Sequence, residues 1–151
     1  MITVKFNLRK IVAIAICLAV TTMFLGCEEE EVIVVNDNYM ILANYDLMVM
    51  KKDLGKNTWS GACNMCEQLR LGGFSDWRLP TQSELAILYN ERYEIGGFET
   101  FNNTGYWSST PDAVGGGFYV YLNFTTGSFG RQLDMFNQQP LAVRCVRNVF
   151  P

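Results

Sequence analysis

The chain contains no histidine. That excludes Ser-His-Asp and Cys-His catalysis and any metal site that needs an imidazole. The one long apolar run is short for a permanent membrane span and reads better as a cleaved signal. Ile11 to Leu25 is mostly apolar but holds Thr21 and Thr22. As a helix it would reach about 22 Å, against a bilayer core of roughly 30 Å that calls for about 20 residues. A basic patch is missing as well. The whole chain has 12 Lys+Arg against 15 Asp+Glu, and Lys5, Arg9 and Lys10 all precede residue 27. From residue 27 onward 9 bases face 15 acids, a net charge of −6. No nucleic-acid partner fits that balance. Internal repeats and a second domain are absent too.

What is present begins with an address. Met1 to Lys10 is basic, the apolar stretch follows, and Gly26-Cys27 leads into Glu28-Glu29-Glu30-Glu31. That order reads as an export signal over residues 1–26. Phe24-Leu25-Gly26-Cys27 resembles the lipobox of bacterial lipoproteins, with Phe24 where Leu is usual. The resemblance implies that Cys27 becomes the first mature residue and carries acyl chains, which hold a protein stably on a membrane when there are two or more. The other reading is an ordinary secreted protein with a cysteine at the cleavage point. The glutamate run resembles the acidic export tag of Bacteroidetes surface lipoproteins, and reads equally as a solvated spacer. The expected location is the outer membrane or cell surface, with a periplasm-facing lipoprotein as the alternative. The expected organisation is signal 1–26, acidic tether 27–37 and one domain over 38–151.

Five cysteines are present. Cys17 leaves with the signal and Cys27 is the expected lipid site. Cys63, Cys66 and Cys145 remain, which suggests one disulfide and one leftover thiol in an oxidising compartment. Cys63-Asn64-Met65-Cys66 has redox-active spacing. It lacks the aromatic neighbour and βαβ context of a thioredoxin-like site. No fourth ligand completes a zinc site. A bridge from one of the pair to Cys145 is the better reading. It would close a loop of about 80 residues and stabilise the fold by roughly 4 kcal/mol.

The pattern along the chain is α+β. Val32–Val35, Tyr39–Leu42 and Leu47–Met50 read as strands, the first two around Asn36-Asp37-Asn38. Thr58 to Leu71 has helical spacing, with Trp59, Ala62, Cys66 and Leu69 on one face and Gly72-Gly73 as its stop. Thr81-Gln82-Ser83-Glu84 is a capping box that opens a second helix running to about Glu91. Tyr106–Ser109, Phe118–Phe124, Phe129–Phe136 and Leu141–Val146 read as strands, with Thr125-Thr126-Gly127 as a hairpin turn. Two helices and a small, mostly antiparallel sheet are expected, with both chain ends in that sheet.

Several phrases then align with a known family. They are Trp59-x-x-Ala62-x-x-x-Cys66, Gly72-Gly73-Phe74-Ser75-Asp76-Trp77-Arg78-Leu79-Pro80-Thr81-x-x-Glu84, Tyr106-Trp107-Ser108-Ser109 and Val143-Arg144-Cys145-Val146-Arg147. Over about residues 45–148 the chain resembles the DUF1566 family, also called the C-terminal domain of the Legionella collagen-like adhesin. It is similar to the fibrobacter major paralogous domain as well. The resemblance implies a C-type-lectin-like fold, a Cys66–Cys145 disulfide with Cys63 as the odd thiol, and a bacterial surface or periplasmic setting. The namesake adhesin binds sulfated polysaccharide. This chain departs from it, with no collagen-like repeats and a charge that repels such glycans. The Glu-Pro-Asn and Trp-Asn-Asp motifs of calcium-dependent lectins are missing, and Gln138-Gln139-Pro140 lacks their carboxylate. Calcium therefore rests on fold analogy alone. Formylglycine-generating enzymes share the fold, but their paired C-terminal cysteines have no match here.

The signature residues Trp59, Asp76, Trp77, Arg78, Pro80, Glu84, Trp107, Arg144 and Arg147 read as structural. Trp77 and Trp107 are expected to fill the core, and Arg78 to anchor its loop to a carboxylate such as Glu84. Tyr119 and Tyr121, expected on an outward face, and the glycine-rich loop from Asp112 to Gly117 are the candidate binding surface. The expected function is a membrane-anchored, non-catalytic binding or structural module, with a glycan or another envelope protein as partner. An extracytoplasmic enzyme is the alternative, with Glu94, Glu99, Asp112 and Asp134 as loose carboxylates that form no evident pair. No catalytic or metal-ligating residue is assigned.

Overall fold

A computed structural model describes residues 33–35, 37–135 and 139–150. The signal segment, Cys27, the glutamate run and Gln138 lie outside the described residues. Nine strands and three α-helices are seen among those described. Strands β1 (Ile33–Val35), β2 (Tyr39–Leu42), β3 (Leu47–Met50) and β9 (Val146–Asn148) form one antiparallel sheet in that order. Both ends of the domain thus meet in one sheet, as expected. Strands β4 (Lys56–Asn57), β8 (Leu141–Ala142), β5 (Gly105–Pro111), β6 (Phe118–Asn123) and β7 (Phe129–Leu133) form a second sheet in that order. It is antiparallel except where β5 meets β8. The class is α+β, but with two sheets where one was expected.

Helix α1 (Trp59–Glu67) and helix α2 (Gln82–Asn90) cover opposite faces of this frame, and a short α3 (Arg92–Ile95) follows α2. Leu85 and Leu88 of α2 pack with Leu42, Val49, Tyr106, Leu122 and Phe124. Ala62 and Cys66 of α1 pack with Met48, Met50, Trp77, Trp107 and Val143. Strand alternation divides the residues between the two cores. Leu47 and Val49 face one, and Met48 and Met50 the other, so all four are buried.

Three expectations need correction. Helix α1 stops at Glu67, not at Leu71. The Arg70 guanidinium donates to the carbonyls of Glu67 and Leu69, and Gly72-Gly73 instead forms the tip of a tight turn. Both glycines have positive φ (65° and 84°), and Leu71 and Phe74 exchange backbone hydrogen bonds across them. A Cβ on Gly72 would lie 2.5 Å from the Tyr39 ring. The expected strand 141–146 is broken in two, because residues 143–145 cross between the sheets. Val143 bonds the backbone of Leu54 and Gly55, and Cys145 accepts from Met50. The two-helix count misses α3. Strand β1 pairs with β2, in keeping with the strand expected at Val32–Val35. Among the described residues no helix is long and apolar enough to cross a membrane.

Candidate functional site

Two arginines of the signature region, Arg144 and Arg147, are buried, and a third, Arg78, is partly exposed. Arg144 is 1% exposed. Its guanidinium donates to Asp53 Oδ1 at 2.5 Å, Met50 O at 2.9 Å, Gly96 O at 3.3 Å and Gly97 O at 2.6 Å, and lies 3.9 Å over the Phe98 ring. The Tyr106 hydroxyl donates to Asp53 Oδ2 at 2.7 Å and accepts from Glu99 N. Burial first, then Asp53, pushes the Tyr106 phenol well above its ordinary range, so it stays a donor. Arg147 grips both Asp76 oxygens, at 2.7 and 3.0 Å, and stacks 4.0 Å over Phe74. The Arg147 hydrogen bonds hold the Asp76 carboxyl below its usual range.

Arg78 pairs with Glu84 at 2.7 and 2.8 Å, as the sequence suggested, and reaches Asn148 at 2.6 Å. Burial alone would raise the Glu84 carboxyl. The bonds from Arg78 and from the Thr81 backbone outweigh it and leave the group lowered. The capping box is complete, with Thr81 N donating to Glu84 and Glu84 N to Thr81 Oγ1. Trp77 and Trp107 are each 1% exposed, and their indoles donate to Leu71 O and Asn57 O. Pro80 offers its carbonyl to Ser109 N at 2.7 Å. Cys66 is bonded to Cys145 across 79 positions and Cys63 is free. Burial, then Glu67 and Asp134, pushes the Cys63 thiol up to about 11. It therefore carries little thiolate at neutral pH.

Tyr119 and Tyr121 are not the exposed platform expected of them. The Tyr119 ring lies flat on Trp59 at 3.5 Å, and the Trp59 indole donates to Ser108 O. Tyr121 meets Trp107 edge-on and lies over Gly105 and Gly130. Both are half-buried against the α1 core. The alternation of β6 was read correctly, but its second face is covered.

The uncovered surface lies on the other face, beyond the start of α2. There the β6–β7 ladder extends past the helix and leaves an open groove of about 480 Å³. Its lining includes Gln82, Thr110, Asp112, Val120, Phe129 and Arg131. It continues past Thr81 and Ser83 at the helix start. Phe129 and Arg131 are two apart on β7, so they share a face about 7 Å apart. Phe129 is 45% exposed. Arg131 bonds Asp112 at 3.3 Å, and Asp112 also accepts from Val114 N at 3.0 Å. Gln82 N donates to Thr110 Oγ1 at 2.9 Å.

An exposed ring, a charged pair and several hydroxyls thus share one concave strip. Such a strip can stack an apolar face and hydrogen-bond a polar edge. Asp112 is the lone carboxylate among the lining residues, and Arg131 occupies it, so this donor set does not fit calcium. Among the described residues no three Cys, Asp or Glu side chains come together as a metal-holding group. Phe129, Arg131 and Gln82 were not singled out from sequence. The available signal was the hairpin, which returns Arg131 toward the start of the Asp112 loop.

A known sequence pattern covers most of the chain. A family model described as Lcl C-terminal domain matches residues 35–147. The chain belongs to the Lcl C-terminal domain family. This is the DUF1566 family that the sequence resembled. No curated protein matches the chain significantly. Within the Lcl domain Trp77, Pro80, Trp107, Arg144 and Arg147 of the signature are buried, and the groove is lined mostly by residues outside the signature.

Proposed function

We propose that this Lcl-domain chain is an extracytoplasmic, lipid-anchored, non-catalytic binding module whose partner is a glycan or another envelope protein. The observation that carries the reading is the groove, where the Phe129 ring stands beside the Arg131–Asp112 pair. Aromatic faces stack on sugar rings and on protein side chains alike, and a charged pair offers donors and acceptors together. The Cys66–Cys145 bond supports an oxidising compartment. The order of residues 1–31 supports export and acylation at Cys27. A C-type-lectin-like fold accords with the meeting of β3 and β9, and with a disulfide from the first helix to the approach of the last strand. The acidic mature chain favours neutral or cationic partners over sulfated glycans. The binding it describes needs no calcium.

The test uses the mature, acylated chain on a glycan array and as bait for proteins of its own envelope. Reproducible capture of one glycan class, or of one envelope protein, is the expected result. Capture of neither, by a chain with its disulfide intact, would sink the reading.

A further inference from the structure

The four-stranded sheet has one end at which several chain segments meet. Ile33, the first residue of β1, pairs with Leu42, so it lies beside the 43–46 turn. Asn148 pairs with Leu47, so Val149 and Phe150 leave β9 at the same end. Asp46 ties them in, accepting from Val149 N at 3.2 Å and from Phe150 N at 3.3 Å. The Tyr45 hydroxyl reaches Glu91 at 3.4 Å and brings the α2–α3 junction alongside. Three large rings stand out from this end. Tyr45 is 42% exposed, Tyr93 81% and Phe150 71%. The Arg92 guanidinium lies between the Tyr89 and Tyr93 rings, 3.9 and 4.3 Å from their centroids.

We infer that this aromatic end rests on the lipid surface and turns the groove away from it. The inference rests on the anchor at Cys27 proposed above. Only residues 28–32 separate Cys27 from Ile33. Fully extended, those six steps span at most about 21 Å. The end of the sheet that starts at Ile33 therefore lies within about 21 Å of the anchor, and its exposed rings decide which face turns to the bilayer. Tyr and Phe rings suit the headgroup zone, where an apolar body and a polar tip are both satisfied. The groove opens at the start of α2 and the aromatic end at its finish, about 13 Å further on. Charge does not drive the contact. Arg92 shares this end of the fold with the acids Asp46 and Glu91. Ring insertion, which salt does not screen, must supply the attraction.

The experiment places a fluorophore at one cysteine in the full, exported chain with Cys63→Ser. Asn44→Cys and Glu94→Cys, exposed positions next to Tyr45 and Tyr93, report the aromatic end with its rings in place. Val114→Cys, in the loop beside the groove, reports the far end. Each is reconstituted in vesicles of phosphatidylethanolamine and phosphatidylglycerol that contain a spin-labelled lipid quencher. Intact mass first establishes acylation of Cys27. Quenching at 44 and 94 should exceed that at 114 by about threefold, in low and high salt alike. An acylated chain quenched equally at all three sites, or most at 114, overturns the orientation and leaves the anchor standing. A chain that carries no acyl group overturns the anchor and the orientation with it.

Discussion

Arg144 joins the end of β3, the loop after it and the Gly96-Gly97 turn through one guanidinium. Its neighbours are mainly carbonyl oxygens, which leave no mark in a sequence. That is why its burial was not legible, whereas Arg78–Glu84 could be anticipated from the place of Glu84 in a capping box. Arg144→Met should cost about 3–5 kcal/mol, since it takes the cation from Asp53, leaving it only the Tyr106 hydroxyl, and a donor from three carbonyls. Urea unfolding measures this loss. Glu84 carries a different signature. Its folded pKa lies below the ordinary 4.5. The folded state therefore holds fewer protons than the unfolded one in that range. The stabilisation is complete above about pH 4.5 and fades as pH falls through the lower folded value. Glu84→Gln should lower the urea midpoint at about pH 6 and make a much smaller difference at about pH 3. An equal difference at both would remove the ion pair as the cause.

The elements show where pattern and structure part. Capping chemistry fixed the start of α2, and alternation fixed β6, because both are local. Whether a second strand face is covered is not local. Tyr119 and Tyr121 look solvent-directed in sequence, yet Trp59 of α1 reaches across and stacks on that face. The same limit hid the split between β8 and β9. Residues 141–146 alternate like one strand, but the two halves pair in different sheets. The turn between α3 and Phe98 carries a sharper constraint. Gly97 has φ 71°, and a Cβ there would lie 2.3 Å from Lys51 O. Gly97→Ala should destabilise by about 2 kcal/mol or more. It should also loosen the grip on Arg144, visible as faster amide exchange around residues 95–99.

At the scale of the molecule, one disulfide and one groove have separate roles. The Cys66–Cys145 bond ties α1 to the crossing between sheets. Replacing both cysteines by serine should cost about 4 kcal/mol through loop entropy, read from the denaturant midpoint. Binding should survive wherever the domain stays folded. The groove is the reverse case. Phe129→Ala with Arg131→Ala changes residues at an edge strand and leaves the buried frame intact. The deciding measurement is the affinity of that double variant for whatever glycan or envelope protein the native chain captures, taken with its unfolding midpoint. A loss of at least about tenfold with a nearly unchanged midpoint is expected. Native affinity in the folded double variant would place the binding surface elsewhere and contradict the groove.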